Sequence, residues 1–203
     1  MAIFIFLCFK KNMFNVSFRG QKENMVYAQE AIAEVKKDFP DGFKSNTHYE
    51  TFENPEDKMT ISFYTDLIMT TRRLIDYNKR FGLSKQEATQ EAVKETGAAN
   101  CGEQAVLVSQ KLDKKGIKNE IISINTVYST PHSRCVTSGH TFCVIDCDEK
   151  MNIQNPETWG ENAIIVDMWS GTIAKVKEAI EFFKTFIKPK ENEHIQFEKE
   201  SFY

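Results

Sequence analysis

The stretch that most constrains the fold lies in the middle of the chain, where residues 97–116 carry the signals of a helix with both ends marked. Asn100, with Glu103 three residues later, is a capping-box pattern that predicts a helix start. Apolar residues then recur at helical spacing until Gly116, a natural stop. Cys101 therefore falls at the first helical position, where free N–H groups and the helix dipole favour a thiolate. This position suits a nucleophile, although an isolated cysteine is more often a small buried residue.

Two apolar runs further along the chain predict strands that carry the groups a nucleophilic cysteine needs. Residues 138–146 are mostly apolar and open through a glycine into His140, and residues 163–167 are β-branched and end in Asp167. A carboxylate at the end of an apolar strand is costly without a partner, and an imidazole on a neighbouring strand is the obvious one. We therefore expect Cys101 as nucleophile, His140 as base and Asp167 as the group that orients the imidazole.

Three segments together resemble a known superfamily. They are Asn100-Cys101-Gly102-Glu103-Gln104-Ala105 opening a helix, Gly139-His140-Thr141-Phe142 opening a strand, and Val166-Asp167-Met168-Trp169-Ser170-Gly171. In this order they resemble the papain-like and transglutaminase-like cysteine enzymes, and are most similar to the Cys-His-Asp branch found in bacterial secreted effectors. The resemblance covers residues 97–171. It implies an α+β fold in which the helix bearing the cysteine packs on an antiparallel sheet bearing the histidine and aspartate, with additional helices on the N-terminal side.

The oxyanion site departs from the papain pattern. Papain-type proteases carry a glutamine a few residues before the cysteine, but Glu95 stands six residues upstream here. The backbone N–H of Cys101 could supply one donor, and the side-chain amide of Asn100 could supply another if the N-cap role occupies only its oxygen. Trp169, two residues past Asp167, is a candidate for the wall of a substrate cleft, although an aromatic residue at this place can equally belong to the core.

Other residues compete for these roles less well. His132 lies in a predicted polar loop and lacks a strand to fix it, so His140 is the preferred base. Asp146 shares a strand with His140 but lies about 20 Å from it, too far to orient the imidazole. Cys143 and Cys147 would lie about 13 Å apart on an extended chain, too far for shared zinc ligation with Cys135 and His140. We read both as packing residues, expect no metal, and expect no cofactor.

The distribution of sequence patterns predicts one domain. Within the 203 residues we place a single papain/transglutaminase-like domain at 1–188, with a helical part at about 23–95, a catalytic core at about 96–188 and a charged tail at 189–203. Further expectations are a strand at 2–9, a strand at 120–127, a polar loop at 129–138 and a helix at 173–187. The tail is charged and aperiodic, so we expect it to be frayed or to begin a linker.

Composition bears on partners and location. The net charge of −3 gives no electrostatic case for nucleic acid or an anionic membrane, and we expect Arg72 and Arg73 on a solvated helix face. Five cysteines are an odd number and favour a reducing compartment. Residues 1–9 are apolar but far shorter than the about 20 residues that span a bilayer, and they lack the pattern of a signal peptide. We expect a cytoplasmic protein, or one that a specialised secretion system delivers into a host cytosol.

These features predict a thiol enzyme that acts on protein amide bonds through a thioester. Water or an amine could resolve that thioester, so cysteine protease, deamidase and transglutaminase all stay open. An arylamine-type acyltransferase would use the same three residues. The alternative from another class is a binding module that keeps the fold but is catalytically inactive.

Overall fold

The computed structural model describes residues 20–46, 55–130 and 133–200. In these ranges the protein has an α+β fold with five α-helices and one five-stranded antiparallel sheet. The helices are α1 (Gln21–Asp38), α2 (Pro55–Arg80), α3 (Lys85–Thr96), α4 (Cys101–Lys114) and α5 (Val176–Phe183). The strands are β1 (Asn119–Thr130), β2 (Ser133–Ile145), β3 (Ile164–Asp167), β4 (Thr172–Lys175) and β5 (Glu193–Lys199).

The sheet is covered by helices on both faces. Its strand order is β4-β3-β2-β1-β5, and every neighbouring pair is antiparallel. Successive side chains of a strand point to opposite faces, so Cys143 and Ile145 of β2 join the core beneath α1 and α4, whereas Phe142 and Val144 join the core beneath α5. The strands of the sheet centre are therefore apolar on both sides, which explains the nearly continuous apolar runs in the sequence.

Helix α4 begins and ends where the sequence predicts. Asn100 is its N-cap, and the Asn100 backbone N–H donates a hydrogen bond to the Glu103 carboxylate at 3.0 Å. The helix ends at Lys114, and Gly116 follows with a φ of +67° that favours glycine. The predicted helical part at about 23–95 contains α1, α2 and α3, and the N-cap of α3, Ser84, exchanges hydrogen bonds with Glu87.

The predicted loop at 129–138 is wrong. Strand β1 continues to Thr130 and β2 begins at Ser133, so most of this segment is a long hairpin paired in register from Val127↔Val136 to Thr130↔Ser133. Its β2 half, residues 133–139, is exposed on both faces. Burial therefore imposes no alternation of polar and apolar residues there, and the polar sequence gives no strand signal.

Two predictions at the C-terminal end are also wrong. Ile173 belongs to β4, which pairs with β3, so the predicted helix at 173–187 begins only at Val176 and ends at Phe183. The tail at 189–203 is not frayed over 193–199, because β5 pairs with β1 there and buries Phe197. The predicted strand at 2–9 lies outside the described residues. Within the described part of the chain, none of the helices is long and apolar enough to cross a membrane.

Candidate functional site

Two polar side chains are buried together where β3 ends. His140 of β2 and Asp167, the last residue of β3, are 3% and 2% exposed. The His140 Nε2 atom lies 2.7 Å from the Asp167 Oδ2 atom. A buried carboxylate and a buried imidazole each cost free energy alone, and this hydrogen bond satisfies both. The sequence-based pairing of His140 with Asp167 therefore exists in the fold, and Asp146 instead accepts a hydrogen bond from Asn24.

His140 lies at a point of the sheet where it can face the start of α4. Strand β2 pairs with β3 only over Cys143–Ile145, so among the described residues no strand flanks His140 on that side. Cys101, the first residue of α4, is half-buried, and its side chain lies close enough to the His140 ring to contribute to the raised pKa of that ring. Because Nε2 is bound to Asp167, Nδ1 is the ring nitrogen that can face the sulfur. The structure thus brings the three predicted site residues near one another, and the hydrogen bond between His140 and Asp167 joins two of them.

The charge balance at His140 favours the protonated ring. Burial by itself lowers the pKa of His140, because it penalises the charged form. The Asp167 carboxylate and the Cys101 sulfur outweigh that penalty and raise the pKa of His140 to about 9. The site therefore places a protonated imidazole near the Cys101 sulfur at neutral pH.

Asp167 is held by groups that sequence reasoning missed. Its Oδ1 atom accepts the Trp169 backbone N–H at 3.0 Å, and the Ser170 hydroxyl donates to Oδ2, the oxygen that faces His140. The Ser170 hydroxyl is also bonded to the Thr172 hydroxyl at 2.8 Å. The sequence does hold a signal for the bond between Ser170 and Asp167. The serine follows the aspartate by three residues, in a turn that ends at Gly171 with a φ of +73°.

Aromatic rings enclose the imidazole. Ring centroids of Phe183, Trp169 and Phe186 lie 4.9, 5.0 and 5.7 Å from that of His140. Trp169, predicted as a cleft wall, is half-buried and packs against His140 and Phe186, whereas Trp159 is fully buried in the core. These apolar rings bury the imidazole, which is 3% exposed, together with its hydrogen bond to Asp167.

The glycine before His140 is required by close packing. A Cβ atom at Gly139 would lie 2.2 Å from the Oδ1 atom of Asn125 on β1. Asn125 is buried and donates to Glu198 of β5 at 3.1 Å, so it cannot move away without losing that bond. The glycine thus lets β1 and β5 pack tightly at the point where β2 presents His140.

Asn100 is anchored more firmly than an N-cap alone would require. Its side-chain oxygen accepts a hydrogen bond from Ser45 at 2.7 Å, and its amide donates to Asn46 at 2.8 Å. An amide group carries two N–H bonds, so one remains without a partner among the described residues. The chain segment 44–46 therefore fixes the residue that precedes Cys101, and Asn100 keeps one donor for a ligand.

The other described cysteines lie in different environments. Cys143 donates to the Ala105 carbonyl, and burial raises the pKa of its thiol far above the ordinary value. Burial also raises the pKa of Cys147, to about 12, and Cys135 is exposed on the hairpin. His132 lies outside the described residues. Within the described ranges, no group of three or more His, Cys, Asp or Glu side chains is arranged to hold a metal ion.

A cleft of about 260 Å³ opens beside the site. Gly102 and Thr141, which follow Cys101 and His140, are among the residues that line it. Arg72 of α2 lines it as well, and its Nε atom donates to Glu103 at 2.9 Å. Arg72 is therefore ion-paired rather than only solvated, a contact between residues far apart in sequence that no local pattern reveals.

Comparison of the chain with protein-family models, with curated proteins and with solved structures found no significant match. The assignment of a function therefore depends on the residues and geometry of this site.

Proposed function

We propose that this protein is a thiol enzyme of the papain-like and transglutaminase-like class that acts on amide bonds of a protein substrate. The observation that supports the proposal is the buried hydrogen bond between His140 and Asp167, next to Cys101 at the first position of α4. In the proposed mechanism Cys101 is the nucleophile, His140 the base and then the acid, and Asp167 the group that fixes the imidazole tautomer.

Each step has a residue to perform it. His140 holds the thiol proton, and the thiolate attacks the carbonyl carbon of a carboxamide or peptide bond. The Cys101 backbone N–H and the free N–H of the Asn100 amide are the candidates to donate to the oxyanion. When the tetrahedral intermediate collapses, the C–N bond breaks and His140 returns its proton to the departing amine, which leaves a thioester on Cys101.

The fate of the thioester defines the activity. Attack by water restores the thiol and gives a protease or a deamidase, whereas attack by an amine gives a transglutaminase. These products are distinguishable on one denatured protein substrate: new N-termini indicate a protease, ammonia release alone indicates a deamidase, and incorporation of a fluorescent primary amine indicates a transglutaminase. Acetyl transfer from acetyl-coenzyme A to an arylamine would instead indicate the acyltransferase.

Iodoacetamide at pH 6 tests the activation of Cys101 before any substrate is known. A thiolate–imidazolium pair should make Cys101 react at least about tenfold faster than an ordinary thiol, because only the thiolate is nucleophilic. Cys135 is the internal control, since it is exposed and belongs to no such pair. Mass spectrometry locates the label. We expect His140→Ala to abolish the selectivity and Asp167→Asn to reduce it.

The result that would contradict the proposal is equal, slow labelling of Cys101 and Cys135 that His140→Ala leaves unchanged. Circular dichroism of each variant shows whether the fold is kept. Equal labelling in a folded protein would leave the inactive binding module as the better interpretation.

A further inference from the structure

We infer that the cleft beside Cys101 binds an acidic side chain of the substrate through the guanidinium of Arg72. This inference rests on the proposed function and adds a substrate preference to it. Gly102, the residue that follows Cys101, lines the cleft, so a side chain of a substrate bound at Cys101 lies within reach of it.

Arg72 has donor capacity that the fold does not use. Its Nε atom is bound to Glu103, but its two terminal nitrogens have no partner among the described residues, and its side chain is 51% exposed. A guanidinium can hold two carboxylates at once, because its donors form a planar fork with more than one edge. The terminal edge of Arg72 is therefore free to bind a second carboxylate.

The carboxylates that line the cleft, unlike the terminal nitrogens of Arg72, already have hydrogen-bond partners within the protein. One oxygen of Glu103 accepts from Arg72 and the other from the Asn100 backbone N–H, so this 8% exposed carboxylate has little to offer a ligand cation. Glu200 accepts the Ser123 hydroxyl at 2.8 Å. The terminal N–H groups of Arg72 are the donors left for a ligand, which favours a ligand that brings acceptors.

The remaining surface of the cleft fits a side chain with a short apolar stem. Ile75, Val106 and Ile121 supply apolar walls, and Lys85 adds a positive charge from α3. Gly102 and Glu103 belong to the first turn of α4, where the helix dipole also favours a negative ligand. A glutamate or aspartate side chain matches these surroundings, with its methylene groups on the apolar walls and its carboxylate at Arg72.

Dipeptide chloromethyl ketones that carry glutamate or glutamine at either position test this preference, because they alkylate Cys101 without a known substrate. The rate constant of Cys101 modification, followed by mass spectrometry, should be about tenfold higher for glutamate at the favoured position, the effect of one charge-assisted hydrogen bond. Added salt should reduce the ratio.

Three variants assign the preference to Arg72. The double variant Arg72→Gln/Glu103→Gln removes both charges of the ion pair, so no buried carboxylate is left unpaired, and it should abolish the preference. Glu103→Gln alone frees Arg72 and should increase it. Arg73→Gln, at an exposed neighbour that does not line the cleft, should leave it unchanged.

Failure of the two proposals would look different. Modification of wild-type Cys101 with equal rates for glutamate and glutamine at both positions, or a glutamate preference that survives in the double variant, would overturn the inference while the thiol enzyme stands. Absence of selective Cys101 modification by any of the reagents would contradict the proposed function itself.

Discussion

At the scale of residues, the identities in the candidate site could be predicted from the sequence, but their surroundings could not. Cys101, His140 and Asp167 stand next to local signals, namely a helix cap and the ends of two apolar strands. The contacts that set their charge come from residues distant along the chain. Phe183 at the end of α5 and Phe186 in the turn that follows it pack on the His140 ring, and no local pattern links either one to a histidine more than 40 positions earlier.

The raised pKa of His140 predicts a pH-dependent stability. The folded protein binds the His140 proton more tightly than the unfolded chain, because the pKa rises from the ordinary 6.5 to about 9. Its contribution to the free energy of unfolding is therefore complete below pH 6.5 and is lost as the pH rises through 9. The loss should amount to at most about 3 kcal/mol.

Urea unfolding between pH 6 and 9.5 measures this slope. His140→Gln should remove the part of the slope that belongs to this ring, whereas His194→Gln, at an exposed histidine of β5, should retain it. A slope that is the same in wild type and His140→Gln would show that the proton on His140 does not contribute to stability.

At the scale of elements, prediction succeeded where burial imposes a pattern and failed where it does not. Helix α4 and strand β3 follow from caps and β-branched runs. Strand β5 was missed because its polar residues dominate its composition, yet Ile195 and Phe197 alternate with them and pack toward the core beneath α5. Two apolar residues in a charged tail are too short a pattern to indicate a strand without knowledge of its partner β1.

Phe197 should be the residue through which β5 contributes most to stability. It is 6% exposed and pairs with Ile124 of β1. The centroid of its ring lies 5.4 Å from that of Trp159, in an edge-on arrangement. Phe197→Ala should lower the free energy of unfolding by about 3–4 kcal/mol, because it leaves a cavity beneath α5. His194→Ala on the same strand is the matched control and should stay within about 0.5 kcal/mol. Chemical denaturation checks both values, and a near-neutral Phe197→Ala would mean that β5 is frayed after all.

At the scale of the whole molecule, the two walls of the cleft differ in how much apolar burial holds them to the rest of the fold. One wall consists of α4 and the sheet, which share a buried core. The other consists of α2 and α3, and α2 packs on α3, which in turn packs on α4. Ile68 of α2 is buried but belongs to neither core, and the Thr71 hydroxyl joins α2 to the Thr96 hydroxyl and the Ala98 carbonyl. Helix α2, which carries Arg72, therefore has a single buried apolar side chain among its described residues, whereas α3 contributes Val93 to the core that it shares with α4.

This difference predicts that α2 and α3 open together without unfolding of the sheet. Ile68→Ala should accelerate hydrogen exchange of the α2 and α3 amides, while amides of β1 and β2 keep their wild-type rates. Leu107→Ala, a substitution of similar size in the core shared by α4 and the sheet, should accelerate exchange in all of these elements. Mass spectrometry of exchanged peptides distinguishes the two patterns. If Ile68→Ala accelerated β1 and β2 as much as α2, the molecule would unfold as one unit, and the Arg72 wall could not move independently of Cys101.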